Sequence, residues 1–222
     1  MDEKRVPTPH LDQILDYLRQ PVDAASLPPR QEHALRNDLF NTLRAQETPV
    51  PDLTEHLLNI RHDPAQDEVM RDYALQHMAS YHDIASIFEK SLIEEELVIT
   101  ITNLSSPLAG TAMHGLNRIN PVSEEIPDLL EKAVYQALSE SSTHQLSRTT
   151  ALQISGQRKY PFARDIAINH IRSPDISPNL KIVAIYALGE VGQFSDLAYL
   201  QGLSSQHYFR NAVQKAYLSI SQ

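Results

Sequence analysis

Apolar residues recur at helical spacing along most of the chain, and proline-marked breaks divide them into short segments. In the first segment, residues 10–18, the apolar side chains fall on one face, as in an amphipathic helix. The members of this face are Leu11, Ile14, Leu15 and Leu18. The pattern therefore predicts a helix near the beginning of the chain.

The breaks predict where the later helices begin and end. Pro28 and Pro29 can open a helix, because proline is tolerated in the first turn. Asp52 followed by Glu55 has the spacing of an N-terminal capping box. The predicted helices cover residues 28–45, 52–60, 63–81, 83–104, 107–119, 126–138, 145–156, 160–171, 177–191, 195–203 and 206–220.

One segment fits two kinds of element. Residues 94–102 are rich in β-branched side chains, which favours a strand. Apolar residues around it nevertheless lie at helical spacing, namely Ile93, Leu97, Ile101 and Leu104. Helices are predicted on both sides and no partner strand lies nearby, so we interpret the segment as a helix.

A column of small residues repeats once per predicted helix pair. Its members are Ala34, Ala74, Ala112, Ala151, Ala184 and Val213, at separations of 40, 38, 39, 33 and 29 residues. A large apolar residue follows the first five directly: Leu35, Leu75, Met113, Leu152 and Ile185. A small residue beside a large one lets neighbouring helices approach closely, and repeated helix pairs bury their apolar faces by stacking.

The fold class that follows is an all-α solenoid of about five helix pairs plus an N-terminal capping helix. We expect a single domain over residues 1–222, with an arm and capping helix in residues 1–27 and stacked pairs in residues 28–222.

The composition narrows the possible chemistry. The 222 residues include no cysteine, which excludes disulfides, thiolate metal sites and cysteine nucleophiles. No apolar run reaches the roughly 18 to 20 residues of a membrane span, and the formal charge of −9 disfavours nucleic acid as a partner.

The N-terminus is no signal peptide as it stands. The sequence is compatible with two localisations: a cytoplasmic protein, or an exported protein whose leader was removed.

The C-terminal helix pairs resemble HEAT repeats, in particular the short bacterial type of bilin-lyase-type proteins. Ala187-Leu188-Gly189 at the end of one helix, Asp196 in the turn and Arg210 at the start of a later helix carry the resemblance. It is good from about residue 148 onward, looser over residues 71–138 and limited to helix spacing over residues 10–60. The resemblance implies a right-handed α-solenoid that serves as an armadillo-like scaffold for another macromolecule. It also implies structural roles for Asp196 and Arg210.

No motif points to catalysis or to a bound cofactor. The 10 histidines include no pair at the spacing that places two metal ligands on one helix face. We therefore predict no metal site, and we expect His77 and His82 at surface or half-buried positions. The run Glu94-Glu95-Glu96 is interpreted as a solvated helix face. Nucleophile-elbow and glycine-rich phosphate motifs are absent, so we predict neither catalytic residues nor a cofactor.

The charge is distributed unevenly along the chain. Charged residues sum to +4 over residues 144–172 and to −4 over residues 83–96. Since the basic segment also carries aromatic residues, it predicts a docking patch for an acidic or phosphorylated partner. The candidate partner-binding residues are Arg158, Lys159, Tyr160, Arg164 and Arg172, whereas Phe162, Ile166 and Ile171 are expected to pack inward. Ordinary surface charge is the alternative interpretation.

Two classes of function fit these features. The first is a non-catalytic scaffold or adaptor that binds a protein or peptide along the concave face formed by the second helices of the pairs. The alternative is a HEAT-like enzyme, either a bilin-lyase-like protein or a DNA-alkylation-repair-type glycosylase using Tyr160, Phe162 and Asp165. A glycosylase requires a broadly basic face, so the acidic chain favours the adaptor.

Overall fold

The computed structural model describes residues 5–22 and 27–221, which form helices joined by short turns and contain no strand. The described α-helices are α1 (Thr8–Arg19), α2 (Pro29–Arg44), α3 (Leu53–His62), α4 (Glu68–Tyr81), α5 (Ile87–Ile101), α6 (Leu108–Arg118), α7 (Ile126–Ser139), α8 (Gln145–Gln157), α9 (Ala163–Arg172), α10 (Pro178–Val191), α11 (Leu197–Leu203) and α12 (Arg210–Ile220). Short 3-10 turns precede three of them, at His82–Ile84, Phe194–Asp196 and His207–Phe209.

The all-helical prediction is confirmed for this part of the chain. The ambiguous segment, residues 94–102, belongs to α5 and the turn that follows it. Its helical-spacing residues Ile93 and Leu97 are fully buried, which explains why burial on one helix face prevails over the strand preference of the β-branched side chains.

Some predicted helix starts and one predicted capping box are wrong. α4 begins at Glu68 and not at residue 63, because the Asp67 carboxylate caps it by accepting a hydrogen bond from the Met70 backbone N–H at 2.8 Å. α9 begins at Ala163 and not at residue 160, because residues 158–160 complete the end of α8. Asp52 forms no capping box, since its backbone is left-handed (φ 54°) and its side chain makes no capping hydrogen bond.

The chain divides into two compact units. Unit 1 comprises Met1–Thr100 and Arg118–Glu124, and unit 2 comprises Ile101–Asn117 and Glu125–Gln222. The single solenoid domain expected from the sequence stays a prediction.

In unit 1, α1 packs on α2 and α3, and α4 packs on α2 and α3. Ala74 and the Leu75 that follows it are fully buried, as the small-residue column predicts. Ala34 and Leu35 are exposed, so the column is wrong for α2. This helix buries a different face, which consists of Glu32, Arg36, Phe40 and Leu43.

In unit 2, α8 packs on α10 and α10 packs on α12. The column residues of these three helices are buried: Ala151, Ala184 and Val213. A Cβ added at Gly156 would lie 3.0 Å from the Cα of Ala187, and one added at Gly189 would lie 2.8 Å from the Cα of Ala216. The backbones therefore approach closely at both contacts through a glycine on one helix and an alanine on the next.

Candidate partner-binding surface

The turn between α8 and α9 holds a lysine in a conformation that favours glycine. The Lys159 N–H donates to the Gly156 carbonyl at 3.0 Å, and the Tyr160 N–H donates to the Ser155 carbonyl at 3.1 Å. These two bonds form a Schellman motif, in which glycine usually occupies the position of Lys159. The φ of Lys159 is 53°, and a left-handed backbone costs a residue with a Cβ about 1–2 kcal/mol. The exposed lysine is therefore kept at a cost in stability.

Three aromatic rings lie beside this turn. The Phe162 ring centroid is 5.1 Å from that of Tyr135 on α7 and 5.4 Å from that of Tyr160. Tyr135 is half exposed, and the other two rings are half-buried. Burial raises the pKa of the Tyr160 hydroxyl, while the nearby Arg158 guanidinium opposes the shift. The phenol is accordingly neutral at physiological pH, and it presents both an apolar ring and a polar group.

Arg158 is exposed but held in place by its own unit. Its Nε donates to the Asn117 side-chain oxygen at 2.6 Å, and its Nη2 donates to the Asn117 backbone carbonyl at 2.8 Å. Fixing the guanidinium in this way lowers the rotamer entropy that a binding partner would otherwise have to remove.

Arg164, a predicted docking residue, is instead engaged with the half-turn before α11. Its Nε and Nη2 donate to the two carboxylate oxygens of Asp196 at 2.8 and 2.6 Å. These bonds lower the pKa of the buried Asp196 carboxyl, which also accepts from the Gln193 backbone N–H at 2.8 Å. The structural role expected for Asp196 is thereby confirmed, and a charge reversal at Arg164 would place two carboxylates together.

The remaining predicted residues of α9 divide between surface and core. The Arg172 guanidinium carbon lies 5.1 Å from the Tyr199 ring centroid in a cation–π contact. Ile171 is buried as expected, whereas Phe162 and Ile166 are only half-buried. The inward packing predicted for Phe162 is thus incomplete, because its ring shares the surface with Tyr135 and Tyr160.

We define the basic–aromatic surface as Tyr135, Arg158, Lys159, Tyr160 and Phe162. Of the five residues predicted from sequence, it includes three, and it adds two aromatic residues. Tyr135 and Phe162 were not predicted as binding residues, because their approach depends on how α7 packs on α8 and not on any local motif. Chemically, the surface offers two cations, of which Arg158 is held by hydrogen bonds, beside partly exposed aromatic rings. This combination suits carboxylates next to apolar groups.

The histidines near the end of α4 are buried, and their expected surface or half-buried position is wrong. His77 is 6% exposed, its Nε2 lies 3.1 Å from the Asn37 side-chain oxygen, and its ring packs 4.9 Å from Phe40. Burial, aided by the charge of Arg44, lowers the pKa of His77 to about 4. Within the described residues, no group of three or more potential ligands is placed to hold a metal ion.

The acidic run on α5 is also mostly buried, which corrects its interpretation as a solvated face. Glu94 accepts from the His82 ring at 2.9 Å and from the backbone N–H groups of Val122 and Ser123 at 2.6 and 3.1 Å. Glu96 contacts the side chains of Arg61, His62 and Thr100, and Glu95 alone of the three is exposed. Most of these partners are distant in sequence, so local spacing gave no signal of them.

A second buried ionic cluster fixes α1. Arg36 donates to the Glu32 carboxylate at 2.6 Å and to the backbone carbonyls of Leu18 and Gln20 at the end of α1. The Tyr17 hydroxyl donates to the same carboxylate at 2.6 Å. Burial raises the pKa of Glu32, but the hydrogen bonds from Tyr17 and Arg36 outweigh it, so the pKa is lowered overall. The cluster explains why α2 turns Glu32 and Arg36, not Ala34, to the core.

None of the helices in the described part of the chain combines the length and apolar character needed to cross a membrane. Comparison of the chain with protein-family models, with curated proteins and with solved structures finds no match.

Proposed function

We propose that the protein is a non-catalytic, HEAT-like scaffold or adaptor that binds an acidic segment of a partner protein or peptide. The observation that carries the proposal is Lys159, an exposed lysine kept in a left-handed Schellman position beside partly exposed aromatic rings. Residues held in strained backbone conformations that glycine would relieve cluster at functional sites. The basic–aromatic surface is the proposed docking site.

The partition of charge supports an acidic partner. The residue ranges of unit 1 contain 10 Lys and Arg against 20 Asp and Glu, a formal charge of −10. Those of unit 2 contain 9 against 8, a formal charge of +1, and the two values add to the −9 of the whole chain. An acidic ligand would therefore meet less repulsion at unit 2 than at unit 1.

The packing of unit 2 supports the proposal that its helix pairs stack as HEAT-like repeats. The Gly156–Ala187 and Gly189–Ala216 contacts place the same two residue types between successive first helices. In such a stack the second helices line a concave face, and α7 and the turn before α9 would contribute Tyr135 and Phe162 at its rim.

A peptide selection on the full-length protein tests the binding surface. We expect random peptides of about 16 residues, long enough for four helical turns, to be enriched for Asp and Glu next to apolar residues. The enriched peptides should bind the Arg158→Glu, Lys159→Glu double variant about tenfold more weakly, mainly through a slower association rate at low salt. Arg164 is left unchanged because it bonds to Asp196.

Lys215→Glu is the matched control, since it reverses another exposed cation of unit 2 outside the surface. It should leave the affinity for the acidic peptides nearly unchanged. Equal loss of affinity in the control and the double variant would indicate general electrostatic attraction and would refute a defined docking surface.

A further inference from the structure

Unit 1 presents an exposed apolar cluster at the start of α5. Ile84, Ile87 and Phe88 are 55%, 67% and 70% exposed, although they lie within five residues of one another. Single exposed apolar side chains are common, but adjacent ones mark interaction sites. With Asp83, whose side chain is largely exposed, they form what we define as the acidic–apolar surface.

Polar side chains beside this cluster form hydrogen bonds within unit 1. His82, directly before Asp83, is fully buried and bonds to the buried Glu94. Ser86 and Glu89 form a reciprocal capping arrangement, with Ser86 N–H to Glu89 Oε2 at 3.0 Å and Glu89 N–H to Ser86 Oγ at 3.3 Å. Thr54 donates to the second oxygen of Glu89 at 3.1 Å.

These bonds make the segment a fixed platform for the exposed apolar groups. The His82–Glu94 bond holds the 3-10 turn that carries Ile84, and the capping arrangement holds the first turn of α5 that carries Ile87 and Phe88. A surface fixed before binding loses little conformational entropy when a partner docks, which favours affinity.

We propose that the acidic–apolar surface binds a cationic amphipathic segment of a partner protein. The apolar cluster requires an apolar face on the ligand. The negative charge around the cluster requires that the other residues of the ligand be positively charged. Asp83 lies exposed beside the cluster, and the ranges of unit 1 sum to −10, so a ligand with Lys or Arg beside its apolar face is attracted. Anionic lipid surfaces and acidic segments are repelled by the same charges.

The peptide selection described above tests this surface separately from the basic–aromatic one. We expect a second class of enriched peptides, with Lys or Arg and with apolar residues at helical spacing. Their affinity should fall at least about tenfold in the Ile87→Ser, Phe88→Ser variant, which removes two central anchors. Asp83→Lys should lower it further at low salt. The Ile87→Ser, Phe88→Ser variant should melt like the wild type because both substituted side chains are exposed.

Phe194→Ser provides a matched control, because Phe194 is 72% exposed against 70% for Phe88. It should leave the affinity for cationic peptides unchanged. The proposal is overturned if cationic peptides are not enriched, or if they bind the Ile87→Ser, Phe88→Ser variant as well as the wild type. It is also overturned if sedimentation detects a homodimer that this variant dissociates, since a second copy would then occupy the surface. None of these results bears on Arg158 or Lys159.

Discussion

At the scale of single residues, Lys159 links backbone strain to surface charge. We predict that Lys159→Gly raises the free energy of unfolding by about 0.5–1 kcal/mol. Glycine removes the left-handed penalty, and its greater freedom in the unfolded chain offsets part of the gain. The same change should weaken binding of acidic peptides, because it removes one of the two cations of the surface. Urea unfolding and peptide titration measure the two effects.

Lys159→Ala separates strain from charge. It keeps a Cβ in the left-handed position and removes the ammonium group, so binding should weaken without the gain in stability. If Lys159→Gly is less stable than the wild type, the left-handed conformation of residue 159 is wrong.

His77 makes stability depend on pH. Its pKa is about 4 in the folded protein and near its ordinary value of 6.5 in the unfolded chain, so the unfolded state binds more protons between these values. The free energy of unfolding is therefore highest above pH 6.5. It decreases by about 3 kcal/mol in total as the pH falls towards 4. We predict that His77→Gln, which does not titrate, shows a shallower loss of unfolding free energy over this range in urea titrations. An unchanged acid dependence would contradict the buried, neutral histidine.

The residue scale is also where the sequence was least informative about the site. Arg158, Lys159 and Tyr160 were predicted because they are adjacent in a basic segment. Tyr135 was missed because it approaches Phe162 only through helix packing. Arg164 was predicted as a docking residue because it belongs to the same basic segment. Its ion-pair partner Asp196 lies 32 residues away, so no local pattern pairs them.

At the scale of helices, the close contacts in unit 2 predict opposite effects for two glycines. A Cβ at Gly189 of α10 would lie 2.8 Å from the Ala216 Cα of α12, so Gly189→Ala should destabilise the protein by about 1–3 kcal/mol through overpacking. Gly202 of α11 has open space at its Cβ position, so Gly202→Ala should be neutral or stabilising by up to about 1 kcal/mol.

Thermal unfolding of the two glycine variants measures this difference directly. Equal melting temperatures would mean that α10 and α12 do not touch as closely as described. A melting temperature of Gly202→Ala well below that of the wild type would mean that α11 is packed against another surface.

The sequence predicts which segments form helices and how they are spaced. It does not predict where every helix begins or ends, or which face of each helix is buried. The apolar period located α1 and α7, each of which buries one apolar face. The start of α4 depends on a single capping bond from Asp67, and the face of α2 depends on a buried ion pair between Glu32 and Arg36. Such polar interactions leave no periodic trace in the sequence.

At the scale of the whole molecule, charge is concentrated in one unit. The residue ranges of unit 1 carry a formal charge of −10, and mutual repulsion of these carboxylates opposes compactness. We predict that raising sodium chloride from about 0.05 to 0.5 M increases the melting temperature, because salt screens that repulsion. Glu95→Gln, which removes an exposed carboxylate from α5, should raise the melting temperature at low salt and reduce the salt effect. A melting temperature that falls with added salt would contradict this account.

Glu94 also determines how much of the chain must be synthesised before unit 1 can fold completely. Its carboxylate accepts from the backbone of Val122 and Ser123, which belong to the short segment that the chain returns to unit 1 after residue 117. On a ribosome, residues 1–100 emerge first, yet this buried carboxylate has its full set of donors only after residue 123 has left the exit tunnel. A fragment cut at residue 100 would likewise leave Glu94 short of two donors, so unit 1 is not a piece that a single cleavage can release intact.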